Sequence, residues 1–356
     1  MANNNLFTPL QIRGLELKNR IVVSPMQQYS ATDGLVNNWH LVHLGSRAVG
    51  GAALIITEAT AVSPRGMNTP NDTGIWNDEQ VNAWKNVVQF VHEQGAKIAV
   101  QLWHSGAKGS HSHPRDGMKY ISAENGGWLP KSASPIKLDD TYHSEALSVE
   151  EIADIRSSFV NAAMRAVTAG FDSIELHAGH GYLFHQFYSS YVNRRDDEYG
   201  GSFERRIGLL VETVKQIRQV IPEDMPLFVR ISAVDYLEDD DAWRIEDSVK
   251  LSRILKENGV DVITASAGGF VFLDKSRVYP SYQVPFAEKI KSETGIITGA
   301  VGAITSPEQA NEIITSNKAD LAVIAREFLR DPYFPLRAAA KLEKDIPVPF
   351  QYKRAF

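Results

Sequence analysis

Eight times along this chain a short apolar run is followed by a stretch with helical spacing, and that repetition constrains the fold more than any other feature. The runs are 20–26, 52–58, 97–102, 171–176, 226–232, 260–266, 295–301 and 321–325. Helical stretches are expected at 38–49, 78–94, 148–169, 202–220, 244–258, 285–294, from Ser306, and at 331–342. Several ends are marked. Ser148-Val-Glu-Glu151 has the form of a capping box, Ser306-Pro307 is an N-cap followed by proline at the first helical position, and Gly50-Gly51, Gly95, Gly170 and Gly259 are stops. Near-continuous apolar strands are buried on both faces, as parallel strands flanked by helices must be. Eight such units in series predict an α/β fold, a (β/α)8 barrel.

The length, 356 residues, suits one such domain spanning 1–356. A doubly wound open sheet is the alternative, but it calls for a glycine-rich turn after its first strand. Here that turn is Ser24-Pro-Met-Gln-Gln-Tyr29, without glycine. Residues 6–19 read as a hairpin turning at Gly14, a plug or lid at one end. Segments 105–147 and 178–201 are long insertions after the third and fourth strands, on the face where barrels place their chemistry. There is no cysteine, which excludes disulfides, thiolate zinc sites, cysteine-held iron–sulfur clusters and a cysteine nucleophile. A net charge of −6 with interleaved acids and bases argues against a nucleic-acid partner. No apolar run approaches the roughly 20 residues of a membrane span, and the N-terminus carries no secretion signal, so a cytoplasmic enzyme is expected.

The stretch Glu175-Leu-His-Ala-Gly-His-Gly-Tyr182 carries three proton-handling side chains, His177, His180 and Tyr182, out of the end of the fourth strand. Taken alone they could be buried structural groups or metal ligands, which leaves a metal-assisted barrel hydrolase as an alternative from another class. His104 is the one further candidate ligand at a strand end, and no metal is expected. The other strand ends offer amides and cations, few carboxylates, and glycines at Gly299-Ala-Val-Gly302 with Arg326 beyond the eighth strand. Barrels commonly bind a phosphate with those two loops. A phosphate-bearing, electron-poor planar cofactor suits the inventory.

At these positions the chain resembles the old yellow enzyme family of FMN-dependent ene-reductases, most of all its compact bacterial, thermophilic-like class. The likeness rests on Ser24-Pro-Met, Glu58-Ala-Thr-Ala-Val62, Gln101-Leu-Trp-His104, His177-Ala-Gly-His-Gly-Tyr-Leu183, Asn193-Arg-Arg-Asp-Asp-Glu-Tyr-Gly-Gly-Ser202, Arg230-Ile-Ser-Ala and Thr298-Gly-Ala-Val-Gly302, in order from about Leu6 to Phe356. It implies FMN as cofactor and NAD(P)H as co-substrate. NAD(P)H would reduce the flavin, which then passes hydride to the β-carbon of an activated alkene. His177 and His180 would hold the substrate carbonyl, and Tyr182 would protonate the α-carbon. Ser24, Pro25, Met26, Gln27 and Ala59 would line the flavin ring, with Gln101 and Arg230 on its pyrimidine edge and Val301, Gly302, Ala325 and Arg326 around the phosphate. Tyr29 and Lys108 would lie on the substrate side. Arg354, in the tail, would reach a neighbouring subunit's site in a homodimer or homotetramer. A nitroester, a quinone or a morphinan-type enone is the alternative substrate within this chemistry.

Three departures stand out. Gln27 occupies the place of a redox-tuning cysteine, where its amide could donate to the flavin O4. Trp103 and Ala107 replace a smaller and a cationic residue. Ala325 stands where the phosphate loop usually has glycine, tolerable if its φ stays negative.

Overall fold

The computed structural model describes residues 4–137, 143–238, 242–271 and 275–356. Eight parallel strands close into a barrel in chain order: β1 (Ile21–Val23), β2 (Leu54–Ala61), β3 (Lys97–Trp103), β4 (Ser173–Ala178), β5 (Leu227–Ser232), β6 (Val262–Ser266), β7 (Ile297–Ala300) and β8 (Leu321–Ile324). β8 pairs with β1, and β5 with β6, so no edge remains. The helices α1 (Asn38–Val49), α2 (Asp78–Glu93), α3 (Val149–Ala169), α4 (Gly208–Val220), α5 (Ile245–Glu257), α6 (Val284–Thr294), α7 (Pro307–Thr315) and α8 (Phe334–Lys341) follow the strands in turn. The predicted barrel is therefore the observed one. Among the described residues no helix is long and apolar enough to cross a membrane.

Period-two alternation divides each strand between two cores. Ile21, Ile98, Val100, Ile174, Leu176, Val229, Ile231 and Ile263 join the large outer core shared with the helices, where Trp84 and Phe159 are fully buried. Val22, Leu54, Ala99, Phe228, Val262 and Leu321 form a separate inner cluster, closed from below by Ile12, Leu15 and Leu17 of the hairpin Leu10–Ile12/Leu15–Leu17. The hairpin is thus a plug. Two residues further along the same inward rows stand Gln101, His177 (after Glu175), Arg230, Thr264 and then Ser266, so the barrel interior changes from apolar to polar toward its C-terminal mouth.

One helical prediction needs correction: the stretch 202–220 is split into Phe203–Arg206 and α4. The helix expected at 331–342 is α8, and a further short helix, Arg326–Arg330, precedes it; Pro332 separates the two by pushing Asp331 into extended backbone (φ −135°, ψ 91°). A register shift between Ile56 and Ala59 bends the end of β2, and Thr57 Oγ1 there accepts the Gln101 amide N–H at 3.1 Å.

Candidate active site

Two adjoining cavities open at the C-terminal mouth. The larger, about 590 Å³, is bounded by Ser24, Ser266, Tyr282, Gly302, Ala325 and Arg326 among others. The smaller, about 200 Å³, is bounded by Gln27, Tyr29, Gln101, Trp103, His177 and Tyr182, together with Pro25, Ala59 and Asn68. His180 and Arg230 line both, which makes them one recess with a chamber at its side. Residues expected from seven separate stretches of sequence are thereby brought together.

In the chamber His177 and His180 are in contact. Gly179 N–H donates to His177 Nδ1 at 3.3 Å, which puts the ring proton on Nε2. That Nε2 lies 3.2 Å from His180 Nδ1, and His180 Nε2 lies 2.7 Å from Ser266 Oγ. The proton order consistent with all three contacts runs His177 Nε2–H to His180 Nδ1 and His180 Nε2–H to Ser266. Burial holds both imidazoles well below their ordinary pKa, reinforced by the Arg230 and Lys108 cations, so both are neutral at pH 7. His180 sits at φ +55°, in the left-handed region, and its N–H donates to Ser232 Oγ at 2.8 Å.

Tyr182 completes the group. Its ring meets Trp103 edge-on at 4.5 Å and His177 at 5.0 Å, and its hydroxyl has no hydrogen-bond partner among the described residues. Burial, with Tyr29 and Asp72 adding to it, raises the phenol pKa, so Tyr182 keeps its proton. Trp103 is fully buried and stacks on His177 at 6.3 Å, and its indole N–H has no partner.

Two glutamines line the chamber, and each has its NH₂ tied to a buried carboxylate. Gln101 Nε2 donates to Glu175 Oε1 at 2.7 Å. Gln27 Nε2 donates to Asp72 Oδ1 at 2.8 Å. One N–H of Gln27 is thus engaged by Asp72, which leaves its second N–H and its oxygen for the chamber. Asp72 also accepts the Asn68 and Thr69 amides at 2.7 and 2.9 Å and the Thr69 hydroxyl at 2.9 Å. Burial nonetheless pushes its pKa up to about 6. Neither Asp72 nor Glu175 was singled out as a site residue in the sequence. Both lie one layer behind the surface, and no motif marks them.

Arg230 is buried. Its Nη1 donates to Ser24 Oγ at 2.8 Å, and its Nε has no partner. In the larger recess Gly302 has φ +116°, and a Cβ there would come within 2.9 Å of the Gln283 backbone, so only glycine fits. Ala325, by contrast, has φ −108°, which answers the condition set for a residue replacing glycine. Arg326 is exposed at the rim and has no ion-pair partner among the described residues. Met26 is half-buried beside the outer core. Tyr282 and Gln283, just before α6, form a wall of this recess that sequence patterning did not indicate.

Two expected residues stand elsewhere. Lys108 Nζ donates to the carbonyls of His180 and Gly269 at 2.7 and 2.5 Å and lines neither cavity. Burial lowers its pKa to about 8. Arg354 is exposed in the tail after the turn Phe350–Tyr352 and reaches neither cavity of its own chain. Among the described residues no three His, Cys, Asp or Glu side chains come together as a metal site.

The family model for the NADH:flavin oxidoreductase / NADH oxidase family matches residues 5–345. An NADPH dehydrogenase of Geobacillus sp. (strain WCH70) is 46% identical over 353 residues, covering 99% of this chain and 98% of the relative. One of Bacillus subtilis (strain 168) is 44% identical, with 99% of each chain covered. Among solved structures, a morphinone reductase in complex with tetrahydroNAD superposes with a TM-score of 0.78 at 29% identity, over 98% of this chain and 93% of the other. The old yellow enzyme homologue from Zymomonas mobilis gives 0.80 at 27% identity, over 95% and 93%.

Proposed function

The chain belongs to the NADH:flavin oxidoreductase / NADH oxidase family and is an FMN-dependent NAD(P)H oxidoreductase of the old yellow enzyme type, and from that premise we propose that it reduces activated alkenes. The residues present fit the cofactor. A buried guanidinium with an unpartnered Nε–H lies between chamber and recess, and such a group calls for an acceptor or an anion. In this reading Ser24, Pro25, Met26, Gln27, Ala59, Gln101 and Arg230 hold the ring system, and Val301, Gly302, Ala325 and Arg326 hold the phosphate. A bound FMN would supply the hydride chemistry that links NAD(P)H to the substrate.

The chain's own work is to hold a carbonyl and supply a proton. His177 and His180 bind the carbonyl oxygen as neutral donors while charge builds on it, and removing one such donor elsewhere costs about 2.7–4 kcal/mol. The 3.2 Å contact between the rings has to open for both N–H groups to reach one oxygen, with His180 leaving Ser266. Tyr182 protonates the α-carbon, since its hydroxyl is protonated and committed to no protein group. Tyr29, a wall of the same chamber, contacts the substrate.

The observation that carries the proposal is the convergence of Tyr182, His177 and His180 in a chamber that shares Arg230 with a larger polar recess. The chamber is small, about 200 Å³, with Trp103 filling one side. This supports compact enones, enals and maleimides as substrates; likeness to a morphinone reductase supports an enone in general. The exposed tail supports a homodimer or homotetramer in which Arg354 completes a neighbour's site.

Anaerobic assay with NADPH and 2-cyclohexenone tests the proposal. Equimolar nicotinamide consumption and saturated ketone are expected, with solvent deuterium at the α-carbon. Nicotinamide oxidation that proceeds only with oxygen or a quinone, leaving the enone unchanged, would overturn it.

A further inference from the structure

Glu175 is fully buried on β4, facing into the barrel one layer below His177. Its two oxygens are committed in different directions. Oε1 accepts Gln101 Nε2 at 2.7 Å on the adjacent strand β3, where Gln101 and Glu175 are register partners. Oε2 accepts the hydroxyl of Thr264 at 2.8 Å on β6, across the barrel. Burial raises the carboxyl pKa, while Arg230, Thr264 and Gln101 oppose that rise.

An amide has one donor side and one acceptor side. With one N–H held by the carboxylate, Gln101 keeps Oε1 and its second N–H for the cavity it lines, and Oε1 cannot turn back toward Glu175. Were the amide turned over, its oxygen would face Glu175 Oε1 and two acceptors would meet in a dry interior. Arg230 stands beside it as a cation, balanced by the Glu175 charge.

We propose that Glu175 is a positioning residue that fixes the amide polarity of Gln101, so that the recess presents an acceptor next to a cation. That pair selects a heterocycle whose edge carries an imide N–H beside an atom able to bear negative charge. The inference rests on the flavin reading, because a flavin's pyrimidine edge has this pattern. Glu175 reaches the ligand only through Gln101.

The test is FMN affinity, titrated by flavin fluorescence on deflavinated and reconstituted protein, in a double-mutant cycle. Glu175→Gln keeps the shape but lets the facing amides pair in either sense. We expect its FMN dissociation constant to rise at least tenfold with an unchanged circular dichroism spectrum. Gln101→Ala should weaken binding by a similar factor. In the Gln101→Ala background, Glu175→Gln should add less than twofold, because its lever is gone. Binding within twofold of wild type in folded Glu175→Gln, or factors that multiply independently, would overturn the proposal. If Glu175→Gln does not fold, Glu175→Asp, which retains the charge but withdraws it by one methylene, undergoes the same cycle. Failure of the wild-type protein to bind FMN is a different result and would sink the flavin reading itself.

Discussion

Replacing Asp72 by Asn removes a buried charge without emptying space, and its consequences can be worked out from the geometry. The Asp72 carboxyl accepts four donors, yet burial lifts its pKa from an ordinary 3.8 to about 6. At 1.36 kcal/mol for each tenfold change in acidity, the ionised form costs roughly 3 kcal/mol relative to the protonated one. Because the folded-state pKa lies above the unfolded one, the stabilising share is fully present below about pH 4 and is lost as pH rises through about 6. Asn does not titrate. The stability difference between wild type and Asp72→Asn should therefore shift toward wild type by about 2.4 kcal/mol from pH 7 to pH 4, with about 1.3 kcal/mol of it gained by pH 5. For a chain of 356 residues about 2.4 kcal/mol corresponds to about 3 °C in melting temperature. The assay is paired urea or thermal unfolding of the two proteins at matched pH, where effects common to both cancel. Asn can keep its oxygen on the Asn68 and Thr69 amides only by turning its NH₂ toward Gln27, which must then rotate its own NH₂ into the chamber. A stability difference that is flat from pH 4 to pH 7 would refute the reasoning.

Other substitutions probe the chamber directly. Tyr182→Phe should leave stability within about 0.5 kcal/mol, since the ring contacts remain and no protein hydrogen bond is lost, and should slow enone turnover by 10²–10⁴ as measured by anaerobic stopped flow; reoxidation by the enone at the wild-type rate would show that Tyr182 is not the acid. Lys108→Met strands the carbonyls of His180 and Gly269, at roughly 1–3 kcal/mol each, so a lower melting temperature and weaker enone binding are expected together. Trp103→Ala should cost about 3–5 kcal/mol in unfolding free energy and admit bulkier enones, checked by a substrate panel. Truncation before Arg354 should raise the KM for enone without loss of flavin; unchanged kinetics would exclude a shared site.

How much of this was legible in the sequence depended on whether a property is local. The eight strands could be read because Ile98, Val100, Ile174 and Leu176 repeat a pattern that burial on both faces imposes on every parallel strand. Gly302 and the strand-end donors could be read because loops at one end of a barrel converge whatever their sequences. Lys108, whose ammonium lies 5.2 Å from the centre of the Tyr182 ring, shows the opposite case. A lysine near the mouth looks like a substrate contact in one dimension, and only the approach of the Gly269 loop to His180 reveals the two carbonyls that hold it. Gln27 stands in the chamber wall, but its bond to Asp72 could not be read, because nothing near position 27 in the chain points to Asp72.

Asp72 and Glu175 show a general limit of that reading. A glutamine at a site wall offers either sign of hydrogen bond, so its identity alone does not say what it recognises. Here each wall amide is oriented by a carboxylate one layer out, Gln27 by Asp72 and Gln101 by Glu175, so each is left with its oxygen and one N–H for the cavity. Arg230, which lines both cavities, and the two imidazoles once their mutual contact opens add a cation and neutral donors. Moving one proton at Asp72, with its pKa near 6, releases Gln27 from that constraint, so mild acid should loosen the Gln27 side of the wall.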